Sequence, residues 1–372
     1  MTPVDAVVIG GGIAGVSAAY YLANTHRVVL VEGEVQLAYH STGRSAALYF
    51  ENYGAAAIRP LTKASRRFFH DPPAGLADSP LVSPRGALWV ARPDQEETLV
   101  RIETEGRETG CRLIPISPAE AVEMVPVLVG SRLSRALHEP DPLDIDVAAV
   151  HQAFLRGFRL AGGDVVTGAA VTSLEHRTGR WILEAGTHRI EASTVVNAAG
   201  AWGDRVASMA GVAQVGLNPM RRTAFMVAGD AMWADWPMVI DADHDFYLKA
   251  DGTQLLCSPA DETPTDPGDA RPDPLDVALA IDRINESTTL GIRSVRSEWA
   301  GLRTFTADRA MVIGPEPGDP GFVWLVGQGG TGIQTAPAAA ELVASLVRGE
   351  ALPSHLADYG VDPERLAVDR LR

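Results

Sequence analysis

Ala6-Val7-Val8-Ile9-Gly10-Gly11-Gly12-Ile13-Ala14-Gly15 decides the fold. An apolar, β-branched run leads into G-x-G-x-x-G, and the stretch Val16 to Ala23 that follows has helical character. A second β-branched run, Val28-Val29-Leu30-Val31, ends on Glu32. This order predicts strand, tight turn, helix and strand, the unit that binds a dinucleotide. Gly10 permits the turn out of the strand, Gly12 lets the backbone approach a pyrophosphate, and Gly15 lets helix and strand pack closely. Ile13 and Ala14 begin the helix, whose N-terminus offers free N–H groups and positive dipole to phosphate. Glu32 stands 17 residues past Gly15, where a carboxylate accepts both hydroxyls of a ribose.

Composition bounds the rest. The chain has 372 residues, beyond the roughly 250–300 at which one core stops growing, so two interlocked domains are expected. Lys and Arg number 32 against 47 Asp and Glu, a net charge of −15. Nothing builds a basic face, which argues against nucleic acid and anionic membrane surfaces as partners. Cys111 and Cys257 lack C-x-x-C spacing and offer neither a metal site nor a disulfide framework. A reducing cytoplasm is the expected location. Met1-Thr2-Pro3-Val4-Asp5 carries no positive region of a secretory signal, and no run approaches the roughly 18–20 apolar residues of a membrane span.

Along the chain, a small-residue, hydroxyl-rich loop runs from Tyr39 to Ala47. Helices are predicted over Pro60–Phe69, Glu96–Gly110, Pro118–Met124 and Ile145–Leu160, the last capped by Asp144 or Asp146. Ala87-Leu88-Trp89-Val90 reads as a strand. The strand at Thr194–Asn197 ends in Ala198-Ala199-Gly200-Ala201-Trp202, and strands alternate from Met220 to Cys257. Asp261–Asp276, rich in Asp and Pro, is expected to be a mobile surface loop. A helix follows to about Leu290, then a strand-like stretch, Ser294–Arg303. Dinucleotide signals thus sit at the start, near 195–200 and at the end. They predict an α/β fold: a discontinuous Rossmann-like domain (1–80, 141–215 and 304–372) with an inserted antiparallel β-sheet, α+β substrate domain (81–140 and 216–303).

Phe322–Val326 leads into a second cluster, Gly327-Gln328-Gly329-Gly330-Thr331-Gly332, and a helix from about Ile333 to Val347. It also fits G-x-G-x-x-G, but no strand ending in an acid follows it. The better reading is a helix N-terminus aimed at a flavin ring, where its dipole favours negative charge on the reduced form. That turns the choice of cofactor from NAD to FAD.

The stretches Val8–Gly15, Ser41-Thr42-Gly43-Arg44-Ser45, Asn197–Trp202, Gly301-Leu302-Arg303 and Gly327–Gln334 resemble the FAD-dependent D-amino-acid oxidase superfamily over essentially the whole chain. Tyr39–Ala47, Trp236-Pro237-Met238 and Phe246-Tyr247-Leu248-Lys249 are similar to its D-arginine dehydrogenase branch, a group of broad-specificity D-amino-acid dehydrogenases. The resemblance implies FAD contacts from Gly10, Gly12, Ile13, Ala14, Gly15 and Glu32, and from Ser41, Thr42, Arg44, Ser45 and Ala46. It adds Val171, Ala199, Gly200, Trp202 and Arg303, and then Gly329, Gly330, Thr331, Gly332, Ile333 and Gln334. It implies oxidative deamination of a D-amino acid, with hydride passing to flavin and the imino acid hydrolysing to a 2-oxo acid and ammonia. By position, Arg222 and Arg303 would clamp the substrate carboxylate. Tyr53 and Tyr247 would be its hydroxyl partners and the cover of the pocket, with Gly330 and Gln334 near the flavin and the substrate amine. The final acceptor would be oxygen or a quinone or other respiratory carrier. The chemistry is consistent: a guanidinium fork suits a carboxylate, and tyrosine adds a hydroxyl to a body that excludes water. Arg221 is adjacent to Arg222, and strand alternation points only one of them inward.

Three positions depart from the branch. Ala87 stands where a glutamate would pair with a cationic side chain, Leu48 where a histidine would be, and Phe50 where a smaller polar residue would be. All three remove polarity, and an unpaired buried cation is costly. Apolar or aromatic substrates are therefore expected over D-arginine and D-lysine. The altered pocket can also admit a secondary amine or N-substituted amino acid, as in the sarcosine-oxidase branch. That branch attaches flavin through a cysteine near the place of Gly301, where this chain has none, so non-covalent FAD is expected. His40 is expected to hydrogen-bond locally. A 2-hydroxy acid held by the same arginine clamp and a flavoprotein subunit without turnover are the remaining alternatives.

Overall fold

A computed structural model describes residues 3–372. Met1 and Thr2, where the start of a secretory signal was sought, lie outside the described residues. The strand Val4–Ile9 lies between two parallel partners, with Val8 beside Leu30 on one side and beside Val196 on the other. Val7 and Val8 are fully buried, because helices or a second layer cover both faces of a parallel sheet; hence the continuous apolar run. His188–Asn197 also pairs in parallel with Asp319–Val326, and Val28–Val31 with Asp164–Val166. The parallel core is therefore assembled from the beginning, middle and end of the chain. An antiparallel meander, Val171–Arg177 and Arg180–Ala185, extends it beside His188–Asn197.

Helices Ile13–Ala23, Val147–Leu160 and Gly332–Val347 pack together on this sheet. Asp146 caps the second of them, accepting from the Ala149 amide at 2.8 Å. The opening turn has no room for side chains at two glycines. Gly10 has φ +111°, and a Cβ there would lie 2.4 Å from the Ala198 carbonyl oxygen; one on Gly15 would lie 1.7 Å from the Gly10 carbonyl oxygen.

A second sheet holds nine strands. Its pairings are antiparallel except that of Met238–Asp241 with Ala87–Ala91. Asn218–Ala228 pairs with Ser297–Phe305, setting Arg222 opposite Gly301 and Arg303 opposite Met220. Arg222 and Arg303 are thus diagonal neighbours on one face. A third, three-stranded sheet combines Leu48–Tyr49, Leu143–Ile145 and Val82–Pro84.

The acidic segment 261–276 is not the free loop its composition suggests. The Asp261 carboxylate accepts from the Thr223 amide at 2.6 Å, Arg221 pairs with Asp276 at 2.6 Å, and Arg44 donates to the Ala270 carbonyl at 3.0 Å. Arginines elsewhere in the chain consume the charges that read locally as solvated. Among the described residues, no helix is long and apolar enough to cross a membrane.

Candidate active site

Residues of all three sheets line one cavity of about 560 Å³. At one end it follows the opening glycine turn. Both faces of the Gly11 peptide are fixed there: its N–H donates to the Glu32 carboxylate at 2.6 Å, and its carbonyl lies 3.0 Å from His151 Nε2. Burial pushes the His151 pKa down, so the neutral ring donates to that carbonyl. Glu32 also accepts from the Glu34 amide at 2.8 Å, which holds the carboxylate at the cavity edge. Thr42 Oγ1 accepts from the Ile13 amide at 3.0 Å, and Ser41 donates to the Leu302 carbonyl at 2.7 Å. Arg44 spans from the Tyr39 carbonyl to those of Ala270 and Ala300. His40 lies 2.9 Å from Glu34 and packs on Trp202, ring centroids 4.7 Å apart, a local role as expected.

At the other end the walls are Leu48, Phe50, Trp89, Met238 and Ile240, with Arg222, Arg303, Tyr53, Tyr247 and His244 among them. Arg303 donates to the Tyr53 hydroxyl at 3.0 Å and has no carboxylate partner among the described residues. Burial works against its charge, but Tyr53, Tyr247, Glu262 and Asp261 outweigh that and hold its pKa above the usual value. Arg222 is already engaged, donating to the Asp261 carbonyl at 2.7 Å and to Glu262 at 3.1 Å. Burial and nearby Arg303 push its pKa down. The adjacent Arg221 turns away to Asp276 and Asp273, so alternation settles which arginine faces the cavity. Arg303 spends one N–H on Tyr53 and Arg222 two on Asp261 and Glu262, so both guanidinia keep free donors beside an apolar wall.

The glycine cluster at 327–332 closes the same cavity. Gly329, Gly330, Gly332 and Ile333 line it, and no side chain caps the helix Gly332–Val347. A Cβ on Gly330 would come within 2.9 Å of the Tyr53 hydroxyl and 3.1 Å of Arg303. Cofactor-end residues Gly10, Gly12, Ile13, Ala14, Ser45, Ala46, Val171, Ala199 and Gly200 reach the cavity as well.

Three residues expected in the site do not line it. Gly15 lies beneath the turn, where its place is set by the contact with Gly10. Thr331 is the residue preceding the closing helix, and its hydroxyl donates back to the Gln328 carbonyl at 2.8 Å. Ala87 is fully buried in the cluster that contains Leu48, Phe50 and Met238, opposite Glu139. Gln334 does line the cavity, but its amide is committed: the oxygen accepts from the Phe50 amide at 3.0 Å, and the nitrogen donates to Thr62 at 3.1 Å. It holds the wall residue Phe50 in place and leaves little for a substrate amine.

Sequence reasoning missed His244, Trp89, Met238 and Ile240. Met238 and Ile240 alternate on a strand, so one inward residue points to the other. His244 has no such signal. It occupies a turn in left-handed conformation, φ +59°, and packs edge-on against Trp89 at 5.6 Å. Partial loss of hydration at the cavity wall, then the charges of Arg222 and Arg303, push its pKa down.

A parallel sheet with a glycine turn and terminal acid, sharing a cavity with a second glycine-led helix, defines a dinucleotide-dependent oxidoreductase. The chain belongs to the FAD dependent oxidoreductase (DAO) family, whose model matches residues 5–346. Glycine oxidase of Bacillus licheniformis is 26% identical over 361 residues, 93% of each chain. Human mitochondrial dimethylglycine dehydrogenase is 27% identical over 268 residues, 68% of this chain and 30% of that longer protein. The crystal structure of glycine oxidase from Geobacillus kaustophilus superimposes with a TM-score of 0.85 at 22% identity, covering 97% of this chain and 99% of that one. These relatives establish the family without singling out the D-arginine dehydrogenase branch.

FAD fits what is present. The crowded glycines leave bare backbone where a pyrophosphate would lie, Glu32 is fixed for ribose hydroxyls, and two helix N-termini open on one cavity. Among the cysteines, Cys257 is fully buried and neither lines the cavity.

Proposed function

We propose that this protein oxidises α-amino acids at the Cα–N bond, D-amino acids with apolar or aromatic side chains in preference to cationic ones. The observation that carries the reading is Arg303, a guanidinium with free donors facing Phe50, Trp89, Met238 and Ile240. FAD supplies a two-electron acceptor for the α-hydride. The chain's own residues hold and dry the substrate. Arg303 binds the carboxylate through a charge-assisted fork, and Arg222 adds positive field from a position fixed by Asp261 and Glu262. Tyr53 and Tyr247 complete the cover and exclude water. Arg222 and Arg303 disfavour the protonated form of His244, so its ring serves as a hydrogen-bond partner for the substrate amine rather than as its base. The imino acid then leaves to hydrolyse to 2-oxo acid and ammonia. On this reading the segments 1–80, 141–215 and 304–372 serve mainly the cofactor and 81–140 and 216–303 mainly the substrate, with Leu48, Phe50 and Tyr53 of the first segment reaching into the substrate wall.

A second reading has a specific observation behind it. The similarity to dimethylglycine dehydrogenase, with the small residue Gly301 on the cavity wall, favours an N-substituted amino acid held by the same carboxylate clamp. Anaerobic mixing of the yellow holoenzyme with a panel of D-amino acids, sarcosine and dimethylglycine decides between them. Bleaching by D-leucine or D-phenylalanine faster than by D-arginine is expected. Faster bleaching by the N-methyl compounds selects the second reading, and faster bleaching by D-arginine rejects the apolar preference. Admission of air then tells an oxidase from a dehydrogenase that needs another carrier. Acid precipitation is expected to release the yellow colour to the supernatant; colour kept in the pellet would show a covalent flavin.

A further inference from the structure

A second chamber of about 240 Å³ adjoins the substrate end. Tyr53, Trp89 and His244 line both cavities, so these three side chains are the partition between them. The outer wall of the chamber comes from the helix Glu96–Glu108, through Thr98, Arg101 and Ile102. Arg101 is exposed and has no ion pair or hydrogen bond among the described residues. Arg59 on the opposite wall pairs with Glu105 at 3.0 Å and donates to the Gly54 carbonyl at 3.1 Å. Asn52, also in the wall, keeps a carbonyl oxygen that is buried without a partner. The chamber thus reaches solvent at a free guanidinium and ends at the substrate.

The large cavity has exposed lining residues at its nucleotide end, Tyr39, Arg205 and Met209. FAD lying along the glycine turn takes up that route. At the substrate end His244, which belongs to the partition, is exposed, as is Gly330 beside Tyr53 and Arg303. The protein as a whole carries −15 and repels carboxylates at long range, so a local cation at the true mouth has a physical task.

We propose that the second chamber is the approach to the active site, and that Arg101 captures the carboxylate of an incoming amino acid before it passes His244 and Tyr53 to Arg303. The proposal rests on the carboxylate-binding reading of Arg303. A residue on a path lowers the barrier in both directions and leaves the end states alone. A residue in the final site changes the end state.

The test follows benzoate, a carboxylate with no α-hydrogen to lose, binding to FAD-loaded protein by stopped-flow flavin absorbance. Thr98→Trp, which narrows the chamber from a half-buried position, is expected to slow association and dissociation together by about tenfold, with Kd unchanged, since passage and not the bound contact is altered. Arg101→Glu is expected to slow association about tenfold at low salt, the gap closing near ~0.5 M salt as screening removes steering. Association rates unchanged in both variants, or a raised Kd with unchanged association, overturn the approach while leaving the carboxylate site standing. No flavin perturbation by benzoate in the unmodified protein overturns the carboxylate site and the approach with it.

Discussion

The two ends of the cavity are built by different means. At the cofactor end the contacts are backbone: a turn with no space for Cβ at two glycines, a Gly11 residue held through both its N–H and its carbonyl, and two helix N-termini opening on the cavity. At the substrate end the surface is made of side chains that arrive from separate places, Phe50 and Tyr53 from a loop, Trp89, Arg222, Tyr247 and Arg303 from four strands, and His244 from a turn. Backbone recognition requires particular glycines at fixed spacing, and at Gly10 and Gly15 it leaves no room for a side chain. Side-chain recognition requires only that an arginine or an aromatic be delivered to a place, and many sequences deliver it. The first end is therefore rigid in sequence and general in ligand, and the second is free to specialise.

That contrast predicts an order of effects. Gly15→Ala should be the most damaging change, because its methyl would sit 1.7 Å from the Gly10 carbonyl oxygen and no flexible side chain is there to give way. Purified protein should be colourless or insoluble; a yellow, folded Gly15→Ala protein would break the claim that the cofactor end is set by close packing. Arg303→Ala should leave FAD absorbance intact and lower kcat/KM for amino acids by about 100-fold or more, the ~3 kcal/mol typical of truncating one partner of a buried charged contact. Loss of FAD from this variant would show that the two ends are not separable.

A further effect, read in stability and not in cofactor binding or turnover, concerns Glu139, opposite Ala87 and 2% exposed, with one carboxyl oxygen unpartnered. Burial pushes its pKa up to about 8. Unfolded, it ionises in the ordinary carboxylate range, so the folded protein holds the extra proton between about pH 4.5 and 8. Stability from this group is complete below that window and is lost as pH rises through it, at ~1.4 kcal/mol per unit at most. Glu139→Gln removes the slope. Its melting temperature should match that of the unmodified protein near pH 4.5 and exceed it increasingly toward pH 8. Parallel curves at all pH values would mean that Glu139 is ionised in the folded state.

How much was legible in the sequence follows from the same contrast. The Gly10–Gly15 turn, Glu32 and the 327–332 cluster are local patterns, and the structure sets them around one cavity. Alternation was enough to turn Arg222 inward and Arg221 outward once one of them had a task. Trp89 and His244 were illegible because their role depends on which strand or turn lies across from them. The acidic segment 261–276 was misread for a related reason. Its partners, Arg44 and Arg221, are distant in sequence, so composition alone could describe only a solvated loop. Ala87 was read through its missing carboxylate, whereas a neighbouring strand brings Glu139 to the same place.

The parallel sheet has a consequence for how the protein is made. Early in synthesis the strand Val4–Ile9 has only its parallel crossover partner, Val28–Val31, reached through the helix Ile13–Ala23. The strand on its other side is 188–197, and the one beyond it is 319–326. The cradle is completed only by Gly329–Ile333, nearly the whole chain later. The two halves of the cavity's glycine lining are thus made more than three hundred residues apart and meet only when the sheet closes around Val4–Ile9.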